Sequence, residues 1–525
     1  MDTDQLIRSD KKSDSKSKRK KWDPNIPLTV SGGPFDRGEQ LRQIAAYFDD
    51  GRFYVSKSHT NNPQVLSLIA EIKVSGRGEP DIKPVDITRV QVCYSNVSGK
   101  LDGAGRKDDA RMRREVLALV GDMANKRVSD IHVVVYEASC LVRARIDGSM
   151  ETIAEWPPEY GHSFCAAAFA MADAADVNYQ PYEYQGARVS NRKDLQLPEG
   201  VISMRLQFNP TVYNGRAMIM RLLYSTDEQT AGDLTQLGFT PEQLEDFEYL
   251  RSKPYGINIV AGPTGHGKST TLQRNIISIL QEYKYNVAIY TVEDPPEYPI
   301  PGAVQMPVTN ASTKEEREGQ FTKAISAALR SNPDRLMIGE VRDAASAQLA
   351  FEAAMTGHQV WTTLHSNDAI TIPFRMRDLK VEDYKLSDPD LLTGLISQRL
   401  VRVLCKNCSL YAKEEELSYN MLGRFEAAQI PMERVKVRNP NGCEVCGQGN
   451  GYMGRTVVAE IILPDAEFMN MVRRDDKISA EQYWLTHLGG RNMTEHMVDR
   501  LIAGEVDPLD AERTVGPIKL PDRSK

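Results

Sequence analysis

The stretch Gly262-Pro263-Thr264-Gly265-His266-Gly267-Lys268-Ser269-Thr270 constrains this chain more than any other. An apolar run, Ile257-Asn258-Ile259-Val260-Ala261, leads into it, and a helical pattern over Leu272–Glu282 follows. A strand, a GxxxxGK[ST] loop and a helix in that order make a phosphate-binding loop. The glycines let the backbone turn its N–H groups toward phosphate oxygens, and the helix N-terminus adds partial positive charge. Lys268 is then placed to reach the β- and γ-phosphates of a nucleotide, and the Ser269 hydroxyl to ligate the accompanying Mg²⁺. A loop of this kind belongs to an α/β fold in which a parallel sheet is covered by helices.

Such a site also needs carboxylates at neighbouring strand ends. The run Arg335-Leu336-Met337-Ile338-Gly339-Glu340 is an apolar strand that ends in Gly-Glu. Glu340 there can orient Mg²⁺ through water or activate an attacking water. Between the two motifs, Ile289-Tyr290-Thr291-Val292 delivers Glu293, Asp294 and Glu297 to what is again the C-terminal end of a strand. A turn built on Asp294-Pro295-Pro296 is the alternative reading of that cluster.

The chain has 525 residues, enough for three or four domains. The first 24 form a basic tail: residues 11–21 hold seven basic side chains and one acidic, with no apolar periodicity, and are expected to be disordered. Such a tail is either simply solvated or drawn to an anionic membrane surface. With no apolar core behind its charges it is not expected to be a secretory signal. Residues 25–112 mix strand-like runs such as Val90-Gln91-Val92-Cys93-Tyr94 with turns, and predict a small α+β domain without recognisable chemistry. A second α+β domain is expected over 113–225: a helix Arg114–Lys126, strands Ile131–Val135 and Leu141–Ile146, a helix Phe164–Ala175, and strands Val201–Leu206 and Ala217–Leu223. The polar segment 226–235 reads as a linker, 236–515 as the nucleotide-binding domain and 516–525 as a tail. No apolar stretch is long enough to span a bilayer. A net charge of −7 argues against a dedicated nucleic-acid binder.

Four of the seven cysteines form two CxxC pairs, Cys405/Cys408 and Cys443/Cys446. Four thiolates so spaced favour a closed tetrahedral Zn²⁺ site of structural type, within a subdomain over 400–455 whose spacer holds a helical segment, Lys413–Ala428. Cys93, Cys140 and Cys165 are scattered and read as small buried apolar residues.

Taken in order, the phosphate loop, Glu293-Asp294-Pro295-Pro296-Glu297-Tyr298, the segment ending Ile338-Gly339-Glu340-Val341-Arg342-Asp343, and Thr356-Gly357-His358 through Leu364-His365-Ser366-Asn367 resemble the secretion ATPases of type II secretion and type IV pilus systems. The resemblance implies a RecA-like core and a hexameric ring that hydrolyses ATP at the cytoplasmic face of the bacterial inner membrane. It also implies a polytopic platform protein and a cytoplasmic adaptor as partners, with acidic lipids as further candidates and no nucleic acid. By position it makes Glu340 the catalytic carboxylate, Glu293, Asp294 and Glu297 its acidic box, and His365 and His358 residues that sense or contact the nucleotide site. Upstream, Ser129-Asp130-Ile131-His132, Arg143 to Gly148, Arg205 and Met220-Arg221-Leu222-Leu223 resemble the domain that abuts the motor, and by the same resemblance Arg205 and Arg221 reach the nucleotide. His266 departs from the family, which usually has serine there, and so does Ala345, where glutamate is usual. Ser397 to Cys405 and Gly451 to Arg455 around the cysteines resemble assembly-type members, which favours pilus assembly, with type II secretion, pilus retraction and a conjugative or type IV secretion motor as alternatives. A hexameric nucleic-acid motor and an ATP-binding scaffold without hydrolysis are the readings from other classes.

Overall fold

A computed structural model of the chain describes residues 26–523 apart from 31–32, 174–178, 181–182, 213–214, 226–232, 309–312 and 449. The expected basic tail and most of the linker therefore lie outside the described residues. The chain divides into two units, 1–115 and 116–525.

The first unit holds α1 (Glu39–Ile44), β1 (Ala45–Tyr47), β2 (Arg52–Ser56), α2 (Pro63–Val74), β3 (Asp81–Val85) and the start of α3 (Ile87–Asn125). The strands form one small sheet in the order β1-β2-β3. Its core gathers Leu28, Tyr47, Phe53, Val65, Leu68 and Ile72. The strand expected over Val90–Tyr94 is instead part of α3. Val90, Cys93 and Tyr94 pack together with Ala46 and Phe48, which is the i, i+3, i+4 spacing of a helical face and not the alternation of a strand. The Tyr94 hydroxyl, donating to the Ala45 carbonyl at 2.7 Å, fixes that register.

The second unit opens with an antiparallel sheet in the order β6-β5-β4-β9-β8-β7. Its strands are β4 (Asp130–Val135), β5 (Cys140–Ile146), β6 (Ser149–Trp156), β7 (Gln185–Ser190), β8 (Val201–Pro210) and β9 (Arg216–Tyr224), with α4 (Pro158–Phe169) against β4 and β5. α4 starts six residues before the expected helix because Pro158 takes the first helical position, where its missing N–H costs nothing. Asp147 and Gly148, both at positive φ, form the tight β5–β6 turn.

The remainder is a doubly covered sheet of seven strands, β12-β11-β13-β14-β10-β15-β20. In chain order the elements are α5 (Pro241–Ser252), β10 (Gly256–Ala261), α6 (Lys268–Glu282), β11 (Ile289–Glu293), β12 (Val304–Pro307), α7 (Lys314–Leu329), β13 (Arg335–Ile338), α8 (Ala344–Met355), β14 (Gln359–Leu364), α9 (Ile372–Asp378), α10 (Asp383–Leu386) and β15 (Leu392–Leu404). A cysteine-bearing insertion follows: β16 (Leu410–Tyr411), α11 (Tyr419–Ala427), β17 (Lys436–Val437), β18 (Gly442–Cys443) and β19 (Gly447–Gln448). β20 (Tyr452–Ile462) then returns antiparallel to β15, before α12 (Ala466–Arg473), α13 (Lys477–Thr486), α14 (Met493–Ile502) and α15 (Pro508–Val515). The insertion thus begins at Cys405, since residues 400–404 belong to β15; its helix is shorter than expected because Ser418 caps it, accepting from Met421 N.

β10 is buried on both faces. Ile257, Ile259 and Ala261 join one core with Phe351, Val360 and Leu395, while Val260 joins the other with Leu272, Ile276 and Trp361. Alternating side chains of one strand thereby fill two cores, each buried aliphatic side chain contributing about 1.5–3 kcal/mol. Strands β10 to β14 run parallel, so their C-terminal ends open on one edge, where ligands of such sheets bind. Among the described residues no helix is long and apolar enough to cross a membrane.

Candidate functional site

The phosphate loop leaves β10 at Gly262, whose φ of +148° and lack of a side chain bring it hard against the Gln398 carbonyl, where a Cβ would lie 2.4 Å from the oxygen. Gly267, at φ +79°, caps α6. Lys268 Nζ lies inside the loop, donating to the carbonyls of Gly262 at 2.7 Å and Pro263 at 3.1 Å. Burial lowers its pKa, with Glu340 and Glu297 pulling the other way. An ammonium on carbonyls alone lacks an anionic partner, which a phosphate would supply. Thr264 through Thr270 line a cleft of about 1280 Å³. Ser269, on the first turn of α6, lines that cleft.

The acidic residues come from the ends of β11 and β13. Glu340 Oε1 accepts from His365 Nε2 at 2.9 Å, and Oε2 from Arg342 Nε at 2.8 Å. His365 follows β14 directly, so adjacent strands bring the two together. Arg342 also donates to Asp294 at 3.2 Å, and Arg317 on α7 approaches the same carboxylate at 3.8 Å. Glu293 accepts from Thr291 Oγ1 at 2.7 Å and Gln305 Nε2 at 2.9 Å, while burial raises its pKa. Glu293, Asp294, Glu297, Glu340 and His365 all line the cleft with the loop.

Two arginines of the antiparallel sheet complete the wall. Arg205 and Arg221 are paired across β8 and β9. Arg221 is committed to Asp130, its Nε donating at 2.9 Å. Arg205 makes no ion pair within hydrogen-bond distance among the described residues; burial lowers its pKa, and Glu297 is its strongest opposite charge. Replacing Arg205 by Gln is therefore expected to lower kcat by roughly 10- to 10³-fold, while Arg221→Gln acts first through Asp130. Steady-state kinetics of the two variants at saturating ATP checks the order.

His358 is not brought to this site. It precedes β14, at the strand's N-terminal end, where Nδ1 lies 3.0 Å from the Ala353 carbonyl and 3.1 Å from Thr356 Oγ1. The six residues of β14 put about 20 Å between it and the cleft. His266 lines the cleft, its Nδ1 accepting from Leu400 N–H at 3.0 Å. Sequence reasoning missed Arg342, Arg317, Arg455 and Gln398, all close to the loop or its carboxylates. Arg455 Nη1 approaches the Gly265 carbonyl at 3.5 Å, and Gln398 Oε1 accepts from Thr271 Oγ1 at 2.8 Å. The signal for Arg342 was present in the sequence, two residues after Glu340; for Gln398 there was none.

The four cysteine sulfurs lie within 4.8 Å of one another. Cys405–Cys443, Cys408–Cys446 and Cys443–Cys446 are separated by 3.8, 3.7 and 3.7 Å. A tetrahedron with Zn–S bonds of about 2.3 Å has sulfur–sulfur edges of about 3.8 Å, so the donor set fits zinc. Asn407 Nδ2, 3.3 Å from Cys443 Sγ, supports the thiolate from outside the ligand set.

Residues 105–511 match the family described as type II/IV secretion system protein. Over 369 residues the chain is 34% identical to the type IV pilus assembly ATPase PilB of Thermus thermophilus, a match covering 70% of this chain and 38% of that longer protein. It is 32% identical over 385 residues to type II secretion system protein E of Pseudomonas aeruginosa, covering 73% of this chain and 70% of that protein. The X-ray structure of the Yersinia pseudotuberculosis ATPase DotB shares the fold with a TM-score of 0.52 at 19% identity, over 77% of this chain and 93% of that one. With the phosphate loop, its carboxylates and the cysteine quartet assembled as described, the chain belongs to the type II/IV secretion system protein family.

Proposed function

We propose that the chain is a ring-forming motor, most closely a hexamer, that spends ATP hydrolysis on assembling a pilin-like polymer at the bacterial inner membrane. ATP hydrolysis follows from the family together with the site. The observation that carries the motor reading is the cleft itself, where arginines of the antiparallel sheet stand against the phosphate loop of the parallel one. A nucleotide there has one set of contacts on each domain, so loss of its γ-phosphate changes the force between them.

Within the site, the loop N–H groups and Lys268 would bind the phosphates, and Ser269 would ligate a Mg²⁺, with Glu340 orienting it through water; the ion would neutralise phosphate charge. Glu340, hydrogen-bonded to His365, takes the proton of the attacking water, with Glu293, Asp294 and Glu297 as the acidic surround. Arg205 meets charge developing on the transferred phosphoryl group. Thr264, Gly265 and Thr270 complete the cradle.

Polymer assembly is favoured over retraction by the zinc-fitting cysteine quartet, which resembles that of assembly-type relatives. Type II secretion uses the same chemistry and is the second reading, supported by the match to the Pseudomonas protein. A polytopic platform protein, a cytoplasmic adaptor and acidic lipids are the proposed partners, from a cytoplasmic position peripheral to the membrane. Deleting the gene and scoring surface fibres and exported proteins separately distinguishes the two: loss of fibres with normal export supports assembly, and the reverse pattern supports secretion. Hydrolysis stimulated by single-stranded DNA but not by anionic vesicles would overturn both.

A further inference from the structure

β15 runs alongside the phosphate loop beyond the point where β10 ends. The β10–β15 ladder closes at Ala261 opposite Ser397, and from there β10 turns away into the loop. Backbone groups of β15 on that side then need other partners. The Gln398 side chain ties the loop to β15: Nε2 donates to the His266 carbonyl at 2.8 Å, and Oε1 accepts from Thr271 Oγ1 at 2.8 Å. The Leu400 N–H of β15 finds its partner in His266 Nδ1, at 3.0 Å. Leu400 also closes over Gly267, where a Cβ would lie 3.3 Å from its methyl carbon.

We propose that His266 is a positioning residue for nucleotide binding: its imidazole caps the Leu400 N–H, extending the β10–β15 ladder by one side chain and fixing the crest of the phosphate loop. The inference rests on the reading of this loop as the ATP site. It gives a physical role to a residue that departs from the small side chain usual at this position. A serine Oγ stands two bonds from its Cα and a histidine Nδ1 three, so serine does not carry an acceptor as far from its own backbone.

Only an imidazole unprotonated at Nδ1 can accept this hydrogen bond. The charged groups facing the ring are Arg399 on β15, Arg455 on β20 and Lys268 on α6, all cationic; burial first, and then these charges, hold its pKa below the usual histidine range. At neutral pH the cap is therefore intact. Protonation in acid sets N–H against N–H and releases the loop from β15.

The test is ADP·Mg²⁺ binding by calorimetry with the full chain at pH 8 and pH 5.5, with ATP turnover at pH 8, for wild type, His266→Asn and His266→Ala. Asn offers an Oδ1 acceptor that does not titrate. The expected result is that His266→Ala weakens ADP binding about 10-fold at pH 8 and raises KM similarly, with kcat within about 3-fold. His266→Asn binds within about 3-fold of wild type at pH 8, and between pH 8 and 5.5 it loses no more affinity than wild type does. Unchanged ADP affinity and KM in His266→Ala would overturn the inference, as would a His266→Asn that binds ADP at pH 8 as weakly as His266→Ala. Wild type that does not bind ADP at all would overturn the site reading and this inference together. Thermal melts of all three proteins at pH 8, expected to agree within a few degrees, separate loop positioning from a folding defect.

Discussion

Glu340→Gln is expected to retain ATP binding while lowering kcat on the order of 10²-fold or more. The carboxylate sits just past the end of β13, one oxygen on His365 and the other on Arg342. Glutamine keeps the shape and one acceptor but offers an NH₂ where the second carboxylate oxygen stood. It cannot take a proton from water, and its amide faces a donor from either Arg342 or His365. The loss therefore falls on the chemical step and not on ground-state binding, so KM should move by no more than about 3-fold. His365→Ala should lower kcat as well, by less, since Glu340 keeps its partner Arg342. Rapid-quench measurement of phosphate formation, with nucleotide affinity measured separately, reads the two effects apart.

The second large effect belongs to the cysteines. Cys405→Ser with Cys443→Ser is expected to abolish the bound zinc, which wild type should carry at one per chain by metal analysis. Structural zinc sites in small peptides contribute an apparent 10–16 kcal/mol, so the insertion should lose its order. Its own core is modest: Met421, Phe425, Ile430 and Val435 pack with Val401, Val458 and residues of α14 and α15. The two-residue strands β16 to β19 have little else to hold them. Limited proteolysis should then cut between Cys405 and Tyr452, while the parallel sheet, with its own two cores, stays folded. A chelator should reproduce the pattern in wild type. Wild-type resistance to protease in the zinc-free double variant would count against a structural metal.

How much of this was legible in the sequence depended on whether the relevant contacts are local. The phosphate loop, the Glu340 strand and the cysteine pairs each carry their chemistry within a few residues, so reading along the chain found them. The resemblance assigned both His365 and His358 to the nucleotide site, yet they bracket β14, and only the later one stands at the end where the strands open. Val90–Tyr94 has the β-branched content of a strand, but its packing partners on β1 and β2 are distant in sequence and select a helix. β6 and β7 were missed because they carry mixed polar and apolar residues that pair with richer neighbours. The role of Gln398 and the partner of His266 were invisible, since both depend on β15 lying beside a loop more than a hundred residues earlier.

Phosphate release from ATP·Mg²⁺ by the purified full chain, beside Lys268→Ala, tests the central claim most directly. Lys268 is the charge buried in the loop, so removing it should weaken nucleotide binding and take hydrolysis to background. The account predicts steady turnover in wild type, none above background in Lys268→Ala, and no stimulation by single-stranded DNA. Absence of turnover in folded, zinc-loaded wild type assembled into rings, or turnover that survives Lys268→Ala, would contradict it.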